Sequence, residues 1–426
     1  MNEEECDSSL LKPVAGNGLL HRRVFLSGAA ALLGGAGLSL ADQRANAGLQ
    51  VGDWSRAPGA PMREYGERSA YEADVLRMPR SPGNAPGSGA SFSPLERLRG
   101  SITPSSLHFE RHHNGVPQID PQDHRLVIHG LVERPLVFDL QTLDRYPLQS
   151  HLYFLECSGN SAANNAPEAL AMSAGELHGL VSGAEWTGVP LRVLMEEAGV
   201  QPQGRWVVAE GADAAAMHRS IPLTKILDDG LLALYQNGER LRPENGYPMR
   251  LFLPGWEGNT SVKWLRRLEV TEQPVMGREE TAKYTDLMRN GEARMFSFTM
   301  DVKSVITAPS GKMKLPGSGY YEVSGIAWSG RGQIARVEVS ADGGQSWADA
   351  ELSGAALPKA LTPFRIPWHW DGKPAVLQSR AVDETGAVQP TRETLIAERG
   401  PQYLYHYNAI QSWAVNTAGE VSNVYA

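Results

Sequence analysis

The sequence predicts an α+β chain, a mixed α/β domain followed by an immunoglobulin-like β-sandwich. Three observations carry this. Between about 101 and 275, short apolar runs (HRLVIHGLV, RWVVAEGA, MRLFLPGW, KWLRRLEV) alternate with stretches of helical spacing. From about 295 the helical spacing stops, and YYEVSGIAW, IARVEVSAD, QSWADAEL and VLQSRAVDE alternate between turns such as Asp342-Gly343-Gly344. The length of 426 residues, 42% of them hydrophobic, is enough for two or three separate cores.

Taken in order, residues 1–47 read as an export leader. His21-Arg22-Arg23-Val24-Phe25-Leu26 precedes the apolar run SGAAALLGGAGLSLA and the cleavage pattern Ala45-Asn46-Ala47. The run is too short and too glycine-rich to span a membrane. The paired arginines mark a twin-arginine signal, with a general secretory signal as the alternative. The expected destination is the periplasm, with a mature chain from near Gly48. Residues 48–100, rich in Pro, Gly, Arg and Ser, read as an extended arm with little regular structure. In the first domain, 101–280, LRVLMEEAGV predicts a helix entered at Pro190 and left at Gly199, and PLTKILDDG predicts a second. The sandwich is expected over 290–400 and a C-terminal extension over 401–426. Gly330-Arg331-Gly332-Gln333-Ile334-Ala335 superficially fits a dinucleotide loop, but it lies between strands and opens no long helix. The net charge of −8 argues against a nucleic-acid binder while leaving room for a local basic pocket.

The two cysteines are Cys6, inside the leader, and Cys157. A mature chain would hold one thiol and no internal disulfide, which is sparse for an exported protein. A lone cysteine is either an apolar filler or a reactive or ligating group. Its setting favours the second: an apolar β-type run ends at Glu156-Cys157, and Ser158-Gly159-Asn160 turns the chain, so the side chain is held at a strand end. Zinc would need several Cys or His at short spacing, and a cysteine protease a local signature; neither is present. A second cluster, Phe109-Glu110-Arg111-His112-His113, offers donors suited to an anion, or is simply a solvated loop. A third runs from Tyr247 to Trp264. Arg250 leaves a strand, Pro254-Gly255 turns, and Lys263 enters the next strand, an arrangement suited to phosphate.

In combination and in this order, F-x-R-x-H, C-x-G-N, G-x-x-x-R-x-x-x-P-G with V-K-W, then G-x-A-W-S-G and S-x-D-G-G-x-S-W resemble the sulfite oxidase family of molybdopterin enzymes. The likeness covers roughly 101–400. HFERHHNGVPQID and YFLECSGNSAANNAP look like its sulfane dehydrogenase branch, which serves periplasmic thiosulfate oxidation. The resemblance implies molybdenum held by a molybdopterin and by the sulfur of Cys157. It implies a cofactor lining of Phe109, His112, His113, Asp213, Arg250, Ser261, Val262 and Lys263. Arg111 would stabilise oxyanion charge as a catalytic residue, and Trp186 would stand by the substrate pocket. The second domain would be the family's dimerisation domain.

Departures bear on substrate. The family's sulfite oxidases carry two arginines after C-x-G-N where this chain has Ser161 and Ala162. A histidine on the phosphate side is replaced by Asn245. The active-site tyrosine aligns with Leu234, and Tyr235 lies one position off. The expected pocket is less positive than one for free sulfite, which fits sulfane sulfur on a carrier protein. No C-x-x-C-H is present, so no haem is expected on this chain, and a separate c-type cytochrome is the expected electron acceptor. A homodimer or a heterotetramer is the expected assembly. The alternatives are a free sulfite dehydrogenase, a methionine-sulfoxide reductase of the same fold, and a cofactor-free periplasmic binding or assembly protein.

Overall fold

Leu191, Leu194, Met195 and Ala198 recur at helical spacing, and all four are fully buried on one face of the helix Leu191–Ala198. Pro190 stands at its N-cap and Gly199, at φ 69°, ends it in the left-handed conformation, as the sequence predicts. The second expected helix spans Leu223–Asp229. In the computed structural model, which describes residues 12–21, 52–81, 85–400 and 403–426, both helices pack with two five-stranded sheets.

One sheet runs His218–Pro222, Trp206–Gly211, Leu265–Thr271, Leu126–Gly130, Leu136–Phe138. Its one parallel pair joins Leu126–Gly130 to Leu265–Thr271, segments far apart in sequence. The other sheet is antiparallel and runs Glu239–Arg240, Leu231–Gln236, Val181–Pro190, Gln149–Glu156, with Arg250–Phe252 beside Leu231–Gln236. The ten-residue strand Val181–Pro190 is absent from the sequence reading because Gly183 and Gly188 look like turn residues. Both are there for close approach: a Cβ on Gly183 would lie 2.1 Å from the Ser101 carbonyl oxygen, and one on Gly188 2.0 Å from that of Leu232.

The stretch read as an unstructured arm supplies Met78–Arg80 and Gly89–Phe92, which pair with Glu110–His112 in a three-stranded sheet. Ala90 stands opposite Arg111, so the arm fixes the register of the Arg-His-His segment.

The C-terminal half is two antiparallel sheets face to face. Lys303–Ala308, Gly319–Trp328 and Thr362–Trp370 lie in one, and Ile334–Ser340, Ala375–Asp383, Ser412–Val415 and Val421–Val424 in the other. Trp328, Trp368, Trp413 and Phe364 fill the space between them. Two of these strands fall in residues 401–426, read as an extension. Trp413 belongs to the core, and its Nε1 donates to the Ile306 carbonyl at 3.0 Å. Residues 13–20 likewise form a small hairpin on the edge of the first of these sheets.

The two halves are joined through buried polar groups. Glu156, the last residue of Gln149–Glu156, meets Lys303 Nζ at 3.1 Å; both side chains are 1% exposed. Trp328 Nε1 donates to the other carboxylate oxygen at 2.7 Å, and Asn160 Nδ2 donates to Oε1 at 2.9 Å. Nearby, Gly255 and Gly330 touch backbone to backbone; a Cβ on Gly330 would lie 2.0 Å from the Gly255 carbonyl oxygen. Removing one member of a buried ion pair leaves the other charged and unpaired. Lys303→Met is therefore expected to lower stability by about 3–5 kcal/mol, read as a shifted urea midpoint. A shift within experimental error would contradict this.

Candidate active site

Cys157 follows the strand Gln149–Glu156 directly, and the turn closes where Asn160 N–H donates to the Cys157 carbonyl at 2.8 Å. Asn160 Oδ1 accepts from Leu180 N–H while its Nδ2 binds Glu156, so one side chain ties the turn to two strands. Ser161 comes next at φ 70° and is buried. Its hydroxyl accepts from Lys303 Nζ at 2.6 Å and lies 2.6 Å from His178 Nδ1. At this departure from the family pattern the side chain is therefore part of the contact between the two domains and does not line the cleft.

The thiol opens into a cleft of about 560 Å³. Phe109, Arg111, His113, Cys157, Arg250, Ser261, Val262 and Lys263 all line it, so eight of the residues singled out in the sequence converge there. Three do not line it. His112 turns away because successive residues of Glu110–His112 alternate; its Nδ1 lies 2.8 Å from Lys263 Nζ, its Nε2 2.5 Å from Glu110, and its ring stacks on Trp264. Asp213 accepts from Met217 N–H at 3.1 Å, and Met217 rather than Asp213 lines the cleft. Trp186, expected at the substrate pocket, is 0% exposed and stacks on Phe252. It acts from behind, with the Arg250 guanidinium 5.2 Å from its ring.

Electrostatically the cleft is built for an anion. Arg250 donates to the carbonyls of Asn245 (2.9 Å) and Ser261 (2.7 Å), and its Nε is buried without a partner. Lys263 Nζ meets the carbonyls of Arg111 and Glu244 and the ring of His112. Among the described residues neither cation has a carboxylate in hydrogen-bond contact, although Glu110 and Glu244 also line the cleft. Burial pushes the Arg250 guanidinium down to about 9, and burial with the neighbouring Arg250 charge holds the Lys263 ammonium well below its usual range. Burial also pushes the Cys157 thiol up, with Arg111 pulling the other way. Cations kept so nearly dry are stabilised by an incoming negative charge.

The sequence reading missed Tyr284. It lines the cleft, its hydroxyl lies 3.1 Å from His113 Nε2, and the Arg219 guanidinium sits 4.9 Å from its ring. Leu234 is buried in the core and Tyr235 lies under Arg240, so neither supplies the phenol. Tyr284 stands in an irregular segment of ordinary composition, with no local signal. Tyr405 packs 5.4 Å from Tyr284, and His406 N–H donates to the Ser158 carbonyl at 2.8 Å. Residues beyond the expected sandwich thus wall the cysteine turn. The cleft is not poor in charge at its mouth either: Arg278 and Lys283 lie close enough to help depress His113.

Comparison with known proteins gives the lineage. Residues 113–279 match the family described as oxidoreductase molybdopterin binding domain, and 294–412 match the Mo-co oxidoreductase dimerisation domain. The solved crystal structure of the sulfane dehydrogenase SoxCD from Paracoccus pantotrophus superposes with a TM-score of 0.86 at 47% identity, covering 88% of this chain and 97% of that one. The chain is a sulfite oxidase family molybdopterin oxidoreductase. NADH nitrate reductases of Solanum lycopersicum and Phaseolus vulgaris are each 32% identical over 72% of this chain. The chain spans 37% and 38% of those relatives' lengths.

The residues present fit a molybdopterin cofactor. Among the described residues no group of three or more His, Cys, Asp or Glu could hold a metal on protein ligands alone. One thiol beside two buried cations, neither hydrogen-bonded to a carboxylate among the described residues, instead suits a metal carried by an anionic organic group. Removing either cation should loosen the cofactor. Arg250→Ala and Lys263→Ala are each expected to weaken its retention about tenfold, read as molybdenum per chain after dialysis. Full metal content in both would contradict the assignment.

Histidine burial sets an acid limit. Burial holds His108 down to about 3, and burial with Lys303 holds His178 well below the usual imidazole range. Unfolded, both take up protons near 6.5. The unfolded chain then binds more protons, so stability falls as pH drops below about 6.5. The slope should reach about 1.4 kcal/mol per pH unit for each ring. Urea titrations between pH 7 and pH 4 read this directly, and a flat profile would contradict it.

Proposed function

We propose that this oxidoreductase oxidises sulfane sulfur bound to a carrier protein, taking oxygen from water and passing electrons to a separate c-type cytochrome. The observation that carries the reading is Cys157 in a cleft shared with Arg250 and Lys263, in a chain similar over 88% of its length to a sulfane dehydrogenase. The cofactor, when bound, supplies two-electron redox chemistry with oxygen transfer at molybdenum.

The chain's own residues do the rest. Cys157 would supply the protein's one sulfur to the metal. Arg250 and Lys263 would hold the cofactor's phosphate, and Phe109, Ser261 and Val262 would line its seat. Arg111 faces developing oxyanion charge on the product, where a partly dry cleft strengthens its pull. His113, held down to about 4 by burial and by Arg111, is neutral at working pH and can share a hydrogen bond with the Tyr284 hydroxyl. Burial keeps that phenol protonated, so it is available as a donor to substrate oxygen. Ser161 and Ala162 in place of arginines support a substrate less anionic than free sulfite, and Arg278 and Lys283 would meet the carrier at the rim.

The paired arginines, apolar run and Ala-Asn-Ala support export by the twin-arginine route to the periplasm. No helix among the described residues is long and apolar enough to cross a membrane. The match of 294–412 to a dimerisation domain supports a homodimer, or a heterotetramer with the cytochrome.

Cys157→Ser should abolish turnover while the urea midpoint stays within about 1 kcal/mol. Turnover is assayed with carrier-bound sulfane, sulfite and methionine sulfoxide in parallel. The wild type is expected to favour the first; a preference for sulfite would move the assignment to free sulfite oxidation. Undiminished turnover in a molybdenum-loaded serine variant would remove the ligand role.

A further inference from the structure

The outer edge of one sandwich sheet is covered by the chain's own N-terminal segment. Pro13–Ala15 and Leu19–Leu20 form an antiparallel hairpin, and Leu19 pairs with Trp368 on the strand Thr362–Trp370. Three polar contacts lock it in place. Gly16 N–H donates to Ser346 Oγ at 2.7 Å, Asn17 Nδ2 donates to the Ala341 carbonyl at 2.8 Å, and Trp368 Nε1 donates to the Asn17 carbonyl at 2.6 Å. Leu19 and Leu20 are 0% and 2% exposed, and Leu19 belongs to the sandwich core.

The seat is selective. Gly18 has φ +87°, and a Cβ there would lie 2.0 Å from the His369 carbonyl oxygen. A Cβ on Gly16 would lie 2.0 Å from Asp342 Oδ2. The surface therefore fits Gly-Asn-Gly-Leu-Leu: backbone rejects bulk at Gly18, and at Gly16 the Asp342 side chain would have to shift. It is made from the 341–346 turn and the 362–370 strand, more than 300 residues away in sequence, so it exists only once the sandwich has folded.

Nothing in the oxidation chemistry uses this segment. In sequence it ends directly ahead of His21 and the Arg22-Arg23 pair. We infer that the β-sandwich carries a binding site for a hairpin whose turn and second strand are Gly-Asn-Gly-Leu-Leu, and that its occupant in the full-length chain is the leader. The docked leader caps a sheet edge that would otherwise be open to pairing with other chains. It also tethers the arginine pair to a folded domain, since an unfolded chain offers no seat. Cleavage near Gly48 would vacate the slot. The docking stands on the contacts above; its link to export rests on the leader reading, and the experiment separates the two.

Hydrogen exchange on the full-length holoprotein tests the docking. Residues 12–21 and 362–370 should both be protected in the wild type. Leu19→Asp should speed exchange in both by roughly tenfold or more and leave the cysteine turn unchanged. A synthetic peptide of residues 12–21, added to that variant, should restore protection over 362–370, and the same peptide carrying Leu19→Asp should not. Exchange of residues 12–21 at the rate of unfolded chain in the wild type would overturn the docking. A wild-type peptide without effect would overturn a separable binding site. The export link is read by following leader processing in cells. It should change several-fold in Leu19→Asp with turnover of the processed enzyme unaltered, and equal processing would sink that link alone.

Discussion

Glu156 and Lys303 form a charged pair taken almost wholly out of water, and the geometry of the cleft depends on it. Such a pair is a poor source of net stability, because two ions must first be dehydrated. Its worth lies in geometry. The carboxylate is the residue before Cys157, and its two oxygens are taken by Lys303, Asn160 and Trp328. The ammonium reaches on to Ser161. One network therefore grips both ends of the Cys-Ser-Gly-Asn turn, and two of its members belong to the other domain. The sandwich thus also serves as the support against which the Cys157 sulfur is held, whatever its part in assembly.

Two groups of side chains line the cleft. Arg250 and Lys263 make hydrogen bonds to carbonyls and an imidazole, so their charge stays available to an anion. Arg111, His113 and Tyr284 form the other group, with Arg278 and Lys283 near His113. Trp186 and His112 belong to neither group; they fix the orientation of Arg250 and Lys263 from behind.

Much of this was legible in the sequence, for identifiable reasons. The helix at 191–198 has a clean apolar face, a proline before it and a glycine after it. The strand before Cys157 is a continuous apolar run with a turn at its end. What escaped depends on the third dimension. The strand Val181–Pro190 carries glycines because other backbones press on it, and a single sequence cannot separate that from a turn. The arm became strands because Glu110–His112 offers it an edge. Trp413 looked peripheral because its partners lie a hundred residues upstream. Tyr284 could be found only through its approach to His113, since its neighbours in sequence carry no periodicity.

The placement of Tyr405 and His406 bears on the order in which the holoenzyme is made. These residues close one side of the cysteine turn, yet they leave the ribosome long after Cys157 itself. Until they arrive, and until Lys303 and Trp328 have arrived before them, the turn that carries Cys157 lacks part of its support. Synthesis direction thereby leaves that flank of the cleft open early and walls it later. The closing latch is a backbone hydrogen bond to Ser158, which forms only when the C-terminal strands have joined their sheet.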